Sequence, residues 1–309
     1  MGFKKEIKNS SLLIYEKNYN KLSKDINGDI EDDFKWLLDY DKVMEEINKS
    51  KSAHTRKNKI NTVIVYLNML DDLKETEKNI IKKYSDEIVK LTKQISDNYN
   101  ENKLNDKQKD NWLTFEELEN ILNKLKAEIP KQINDYSNFK KLMHYLILSL
   151  HLEVPLRNDM ADAKIYTQAE FNKIEEDKEI NYLVLGKTGT IILNNYKTSG
   201  SYGRKKINLS KNLFSIFKKY YPIIKQYSKD NWLFIDINGD KLNRNRYTLL
   251  FNDLFKQYNK KISSSMIRHI IISHKFPINE NEMKEREELA DIMGHSVNEA
   301  LKVYSKSTS

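Results

Sequence analysis

The sequence predicts a mainly helical α+β fold with one small antiparallel β-sheet, divided between two domains. The chain has 309 residues but only 8 Gly and 4 Pro, and this scarcity favours long helices over a turn-rich all-β design. Most apolar residues recur at three- and four-residue steps, as on the buried face of a helix. Two short apolar runs between 182 and 193 lack that period and indicate strands.

The first third of the chain predicts a small helical domain at 31–100, after a polar N-terminal segment at 1–30. Apolar residues at helical spacing place three helices in this domain. Their approximate ranges are 31–50, 52–73 and 76–97. Residues 101–111 are expected to form a linker, because the stretch around them is almost wholly polar.

The second domain, 112–309, is predicted to be mostly helical. Thr114 and Glu117 have the spacing of a capping box, in which each side chain bonds the other residue's backbone N–H, so a helix should run from there to about 129. The same periodicity predicts further helices along the domain. Their approximate ranges are 137–152, 210–224, 244–259, 264–274, 285–293 and 297–304.

The small sheet is expected in the middle of the second domain. The apolar runs 182–185 and 190–193 flank the turn sequence Gly-Lys-Thr-Gly, which is typical of a β-hairpin. A third strand is predicted at 205–209, before the helix that Ser210 opens.

The composition suggests a phosphate-rich partner. Lys and Arg number 53 against 45 Asp and Glu, so the net charge is +8. Such a balance suits nucleic acid or an anionic membrane surface, and it is also compatible with solubility alone. Clustering of the charge favours nucleic acid. Two basic clusters occur, at Lys49, Lys51, Arg56, Lys57 and Lys59 and at Arg204, Lys205 and Lys206.

The residue inventory excludes several kinds of chemistry. With no Cys, the chain has no disulfide, no thiolate nucleophile and no Cys-based zinc site. The six His have no ligand-like spacing, so no metal site is expected. The N-terminus has no secretory signal and no apolar run approaches the length of a membrane span. We therefore expect a protein inside a cell that is not membrane-bound.

Five residues of the second domain together suit phosphodiester exchange. They are Arg157, Lys197, Arg268, His295 and Tyr304. Two Arg side chains can fork toward the phosphate oxygens and stabilise the charge of the transition state. A Tyr hydroxyl is a nucleophile when its charge is stabilised, and a Lys can protonate the departing oxygen. A His can donate to the phosphate or relay a proton.

In order, spacing and setting these five residues resemble the tyrosine recombinase, or phage-type integrase, family. The resemblance implies that 112–309 is a catalytic domain and that 31–100 is similar to the family's helical core-binding domain. The sequence Pro-Leu-Arg-Asn-Asp around Arg157 resembles integrases of large DNA viruses and their mobile elements. The family's fold would then be a helical core-binding domain beside a catalytic domain with a small sheet.

The resemblance also implies the reaction and the role of each residue. Tyr304 would attack the phosphate and form a 3′-phosphotyrosine link, while Arg157 and Arg268 clamp the phosphate. Lys197 would be the general acid, on the strand beside the hairpin, and His295 would assist the clamp. The bond energy stays in the protein–DNA link, so no cofactor, metal or ATP is implied. The expected partner is double-stranded DNA inside the cell, gripped between the two domains, with a homo-tetramer assembled on two sites.

The sequence departs from the family pattern at one position of the site. The family usually has His three residues before the second Arg, and here that residue is Ser265, which cannot carry charge or shuttle a proton. His269 and Asp159 are the other auxiliary positions; Asp159 is expected to orient Arg157 or to cap the next segment. Few residues follow Tyr304, so subunits are expected to dock through another segment or to assemble only on DNA.

Other interpretations of these residues stay open. Arg157 alone would be a cation at a helix end, and Tyr304 alone would be an ordinary helix-face aromatic. Lys187 in the hairpin turn competes with Lys197 for the general acid. His269 is also consistent with a buried structural histidine.

The residues expected to contact the DNA backbone belong to the two basic clusters. They are His54, Arg56, Lys57, Lys59, Arg204 and Lys205. The first four open the helix at 52–73, where positive side chains and unbonded N–H groups suit phosphate. Such contacts position DNA without reading its sequence.

The function predicted from these observations is site-specific recombination, as in the integration or excision of a viral or mobile element. Two alternatives stay open. A type IB-like topoisomerase shares the chemistry but reseals the same strand, and a catalytically weak DNA-binding protein would retain the fold without the reaction.

Overall fold

The computed structural model describes residues 9–100 and 104–275. The chain divides into two compact units, Met1–Glu101 and Asn102–Ser309, and the division falls at the start of the predicted linker. Among the described residues, no helix combines the length and the apolar character that a membrane span requires.

The first unit is a bundle of α-helices around an aromatic and aliphatic core. Its helices are α1 (Asn9–Asn27), α2 (Tyr40–Asn48), α3 (Ala53–Leu67) and α4 (Glu75–Asn100). The helix predicted at 31–50 is divided, because the Asp39 side chain accepts from the Lys42 N–H and starts α2 after a 3₁₀ turn.

The N-terminal segment 1–30, expected to lie outside the helical domain, contributes α1 to the core of this unit. Tyr19 and Leu22 are buried, and the Tyr19 ring stacks on Tyr66 with 4.2 Å between ring centroids. The Trp36 indole N–H donates to the Tyr19 hydroxyl at 3.2 Å. A few large buried side chains thus hold a helix whose other positions are mostly polar, which explains why periodicity misses it.

The second unit contains eight α-helices in its described part. They are α5 (Asp106–Asn111), α6 (Phe115–Ala127), α7 (Tyr136–Glu153), α8 (Gln168–Phe171), α9 (Ser199–Tyr202), α10 (Lys211–Tyr227), α11 (Arg244–Lys256) and α12 (Ser264–Lys275). The predicted helices up to residue 274 are confirmed, and those at 285–293 and 297–304 lie outside the described residues. The short helix α5 lies in the predicted linker, where Asn105 and Gln108 form a capping box.

The four strands form one mixed sheet in the order β1-β2-β3-β4. They are β1 (Lys164–Thr167), β2 (Tyr182–Leu185), β3 (Gly189–Leu193) and β4 (Lys205–Asn208). The predicted hairpin β2–β3 and the antiparallel strand β4 are confirmed. The expectation of a wholly antiparallel sheet is wrong, because β1 pairs parallel to β2. A crossover that includes α8 separates these two strands and allows them to run in the same direction.

Helix α7 is the centre of the second unit. Its C-terminal half is buried on every side, from Tyr145 to His151. Helices α6, α10, α11 and α12 all contact it. The chain that leaves the end of α7 reaches Arg157 and then the 3₁₀ turn Asn158–Met160, which contacts α11.

The capping box at Thr114 is expected to contribute measurably to stability. Thr114 accepts from the Glu117 N–H at 3.1 Å, so Thr114→Ala leaves an N–H at the start of α6 unbonded. The free energy of unfolding should fall by about 1 kcal/mol, measured by urea denaturation. Ser215→Ala, on the exposed side of α10, is the matched control and should change it by less than about 0.5 kcal/mol. Equal effects of the two substitutions would contradict the capping role.

Candidate active site

The turn that carries Arg157 is tied to the starts of two helices. Arg157 is half-buried and precedes the 3₁₀ turn Asn158–Met160. The Asn158 amide donates to the Arg244 carbonyl at 2.9 Å and to the Thr248 hydroxyl at 2.8 Å, both on α11. The Ser264 hydroxyl of α12 donates to the Asn158 Oδ1 at 2.5 Å. These bonds hold the backbone of Arg157 against both helices.

A buried carboxylate lies within electrostatic reach of three guanidinium groups. Asp159 is 5% exposed, and the Arg244 Nη2 lies 3.6 Å from its Oδ1. Burial raises the pKa of the Asp159 carboxyl, and the positive charges of Arg244, Arg157 and Arg268 oppose the rise. Arg157 and Arg268, far apart in sequence, therefore act on one carboxyl group.

Arg268 lies in the interior on α12, and its side chain is only 1% exposed. Burial, together with the positive charge of Arg268, lowers the pKa of His151 to about 3. That imidazole is therefore neutral at pH 7 and adds no positive charge beside the arginine. Its Nε2 shares a 3.0 Å hydrogen bond with the Tyr247 hydroxyl. Ser265, one turn before Arg268 on α12, is exposed, and His269 is half-buried.

Lys197 lies in the loop between β3 and β4, not on a strand as expected, and its side chain is exposed. The buried Asn181 amide ties the start of this loop to the Arg157 turn, since it donates to the carbonyls of both Asp159 (2.7 Å) and Asn195 (2.8 Å). Lys187 lies in the β2–β3 turn, at the opposite end of β3, roughly 15 Å along the strand. The backbone of Lys197, rather than that of Lys187, is thus beside the Arg157 turn.

Three of the cations expected to contact DNA are bonded within the protein. Arg204 makes a two-pronged ion pair with Glu176, at 2.9 and 2.7 Å. Lys205 is 9% exposed, and its ammonium lies 5.0 Å from the centre of the Tyr202 ring. The Arg56 Nη1 donates to the Ser50 carbonyl at 2.9 Å. Sequence clustering could not show these partners, because Glu176 and Tyr202 meet the cations only in the folded chain.

The other three expected DNA contacts lie at the start of α3. His54, in the first turn of α3, is exposed, and Lys57 and Lys59 are half-buried on the same helix. Two further residues of the predicted site, His295 and Tyr304, lie outside the described residues.

The structure adds polar residues that the sequence did not indicate as part of the site. Arg244 brings a third guanidinium to Asp159, and Asn181 joins the Lys197 loop to the Arg157 turn. The Asn-Arg-Asn-Arg run that opens α11 was a visible signal for Arg244, since cations at a helix start suit phosphate. Nothing in the local sequence marks Asn181, whose bonds are all to residues distant in the chain or across a strand.

Comparison with known proteins shows the fold. One similar structure is the crystal structure of XerH site-specific recombinase bound to its difH substrate, a pre-cleavage complex. The match covers 95% of this chain and 74% of the XerH chain, with a TM-score of 0.52 and 15% sequence identity. A post-cleavage XerH complex on palindromic difH matches 95% and 73%, with a TM-score of 0.49 and 13% identity. XerA recombinase matches 98% and 90%, with a TM-score of 0.45 and 12% identity. No family model and no curated protein matches the chain.

The neutral His151 predicts a pH dependence of stability. The ordinary pKa of the imidazole is 6.5 and the folded value is about 3, so between them the unfolded chain binds a proton that the folded chain does not. Stability should therefore fall as the pH drops below 6.5, by about 1.4 kcal/mol per pH unit from this group. The glutamine of His151→Gln cannot titrate. Between pH 6 and pH 4, the slope of its free energy of unfolding against pH should therefore be smaller than that of the original chain by about 1.4 kcal/mol per pH unit.

Urea unfolding at a series of pH values measures this slope. Tyr247→Phe is the control, because it removes the hydroxyl and keeps the imidazole: stability should fall while the slope stays near that of the original chain. An unchanged slope in His151→Gln would contradict the neutral, buried state of His151.

Proposed function

We propose that this chain, which has the fold of the tyrosine recombinases, is a site-specific DNA recombinase that cuts and rejoins DNA through Tyr304. The observation that carries the proposal is the buried Asp159 carboxyl group, two residues after Arg157, which has the Arg244 guanidinium 3.6 Å away and Arg157 and Arg268 near enough for their charges to act on it. Three guanidinium groups around one carboxylate leave a surplus of positive charge, and the adjacent His151 is neutral. A site of this kind favours a bound phosphate.

The proposed reaction begins when the Tyr304 oxygen attacks phosphorus. A phosphorus–oxygen bond to Tyr304 forms, the bond to the 5′ oxygen breaks, and the phenol proton leaves to a base or to water. Lys197 gives a proton to the departing 5′ oxygen. Arg157 and Arg268 hold the phosphate in line, and His295 assists them. The 5′ hydroxyl of a second DNA then reverses the step, so the bond energy is retained.

Double-stranded DNA is the proposed partner. The pre-cleavage XerH complex contains its difH substrate, which supports a DNA-bound role for this fold. We extend the proposal to a homo-tetramer on two DNA sites, because exchange between two duplexes requires four cut strands. Integration or excision of a viral or mobile element is the role we assign to it, and this assignment rests on the resemblance of the Arg157 motif.

Trapping of the covalent link tests the proposal. The substrates are overlapping duplexes that together cover the DNA beside the gene. Each has a nick near the cleavage point, so that the short fragment carrying the new 5′ hydroxyl diffuses away after cleavage. The original chain should form a protein–DNA adduct that resists denaturant, and Tyr304→Phe should form none. Arg157→Ala and Arg268→Ala should each lower the rate by about 10²- to 10³-fold, because each removes a donor to the transition state.

Tyr258→Phe is the matched control for the loss of a phenol hydroxyl. The Tyr258 ring lies beside Lys124 of α6, and the substitution should leave adduct formation near its original rate. Binding of DNA without any adduct would point to a non-enzymatic protein. Relaxation of supercoiled plasmid, without exchange between two sites, would point to the topoisomerase alternative.

The basic start of α3 is the proposed backbone contact of the first unit. Lys57→Ala with Lys59→Ala should weaken DNA binding and reduce the slope of log affinity against log salt by about 0.9 for each phosphate that the protein no longer neutralises. Arg56→Ala, measured beside it, should mainly lower the free energy of unfolding, by about 1 kcal/mol, because Arg56 bonds the Ser50 carbonyl. A salt slope unchanged by the double lysine substitution would exclude these contacts.

A further inference from the structure

Asn181 connects two segments of the candidate active site. It is 2% exposed and lies immediately before β2. Its side-chain N–H groups donate to the carbonyls of Asp159 and Asn195, at 2.7 and 2.8 Å. Its side-chain oxygen accepts from the backbone N–H groups of Asn194 and Asn195, at 2.8 and 2.9 Å. Both donors and both acceptor positions of the amide are thus used.

The two segments carry different parts of the proposed chemistry. The Asp159 carbonyl belongs to the turn that follows Arg157, and Asn195 lies two residues before Lys197. A buried amide with four hydrogen bonds is costly to disturb, because removing it leaves several backbone groups without partners. Asn181 therefore holds the Arg157 turn and the start of the Lys197 loop at a defined separation.

The loop is also held just after Asn195. Tyr196 is 5% exposed, and its hydroxyl donates to the Gly203 carbonyl at 2.7 Å. The Ser199 N–H donates to the Tyr196 carbonyl at 3.0 Å. The Lys197 side chain projects from this fixed backbone into solvent. Its reach is therefore set by where Asn195 and Tyr196 are held.

We propose that Asn181 is a positioning residue that places the Lys197 ammonium beside the phosphate held by Arg157. The inference rests on the proposed function. A general acid acts only within hydrogen-bond reach of the atom that it protonates, and a displacement of about 1 Å can cost 10²-fold in rate. Loss of the Asn181 amide releases the loop from the Arg157 turn and moves the acid away from the 5′ oxygen.

The test replaces the 5′ oxygen at the cleavage point by sulfur. Cleavage then forms the same bond from Tyr304 to phosphorus but expels a thiolate. A thiol has a pKa near 8.5, far below that of an alcohol, so the leaving group needs no proton from Lys197. A variant impaired only in proton donation should recover on this substrate, and a variant with a damaged phosphate clamp should not.

We expect Asn181→Ala and Lys197→Ala each to slow adduct formation on the oxygen substrate, by about 10²-fold or more. Both should return to within about 10-fold of the original chain on the sulfur substrate. The double substitution should be no slower than Lys197→Ala alone, because both residues act through one proton. Asn181→Ser, which keeps a small polar side chain, is the second variant and should behave in the same direction.

Two control variants show what a damaged phosphate clamp and an unaffected site look like in this assay. Arg157→Ala should stay slow on both substrates, because the clamp is needed with either leaving group. Asn134→Ala removes an exposed amide that bonds only the Gln132 side chain, at 3.5 Å, outside the candidate site, so it should react at the original rate on both. Thermal unfolding of every variant accompanies the rates.

Several outcomes would overturn the inference. One is cleavage of the oxygen substrate by Asn181→Ala at the original rate, and another is an equal loss of rate on both substrates, which would indicate general damage. Failure of both Asn181 variants to fold would show that the amide maintains the fold rather than placing Lys197. Absence of any adduct from the original chain on either substrate is a separate result, and it would contradict the proposed function itself.

Discussion

The buried carboxylate of Asp159 is the constraint on which the arrangement of the second unit depends. Burying a carboxylate is costly unless positive charges or donors offset its lost hydration; at Asp159, which is 5% exposed, burial raises the pKa and the charges of Arg244, Arg157 and Arg268 oppose the rise. The same balance leaves a surplus of positive charge at the place that we propose to bind phosphate.

Polar bonds around this carboxylate give the site its geometry. Asn158 forms hydrogen bonds to α11 and α12, and Asn181 forms hydrogen bonds to the loop of Lys197. These neutral amides therefore fix the backbone segments from which the charged side chains extend. The neutral state of His151 matters as well, because a second positive charge beside Arg268 would be costly in the interior. Amides and a neutral imidazole thus surround the arginines without adding charge to the place where we propose that phosphate binds.

The described part of the fold was largely predictable where its signals are local. The helices α6, α7, α10, α11 and α12, and the β2–β3 hairpin, follow from apolar spacing, caps and a Gly-containing turn. Helix α1 was missed because a few buried aromatic side chains hold it in place. Strand β1 was missed because its pairing with β2 defines it. Lys197 proved to lie in a loop, and Arg56, Arg204 and Lys205 proved to have partners within the protein.

By itself the sequence determined the kinds of residue available for the proposed phosphate chemistry, their order, and the helix that carries Arg268. It could do so because periodicity and capping act over only a few residues. Only the tertiary structure decided that Arg157 and Arg268 lie near enough for their charges to act on one buried carboxyl group, and that the loop of Lys197, rather than the turn of Lys187, is tied to the Arg157 turn. Those relations depend on the packing of α7, α11, α12 and the sheet, and contacts between distant segments leave no mark on the local sequence.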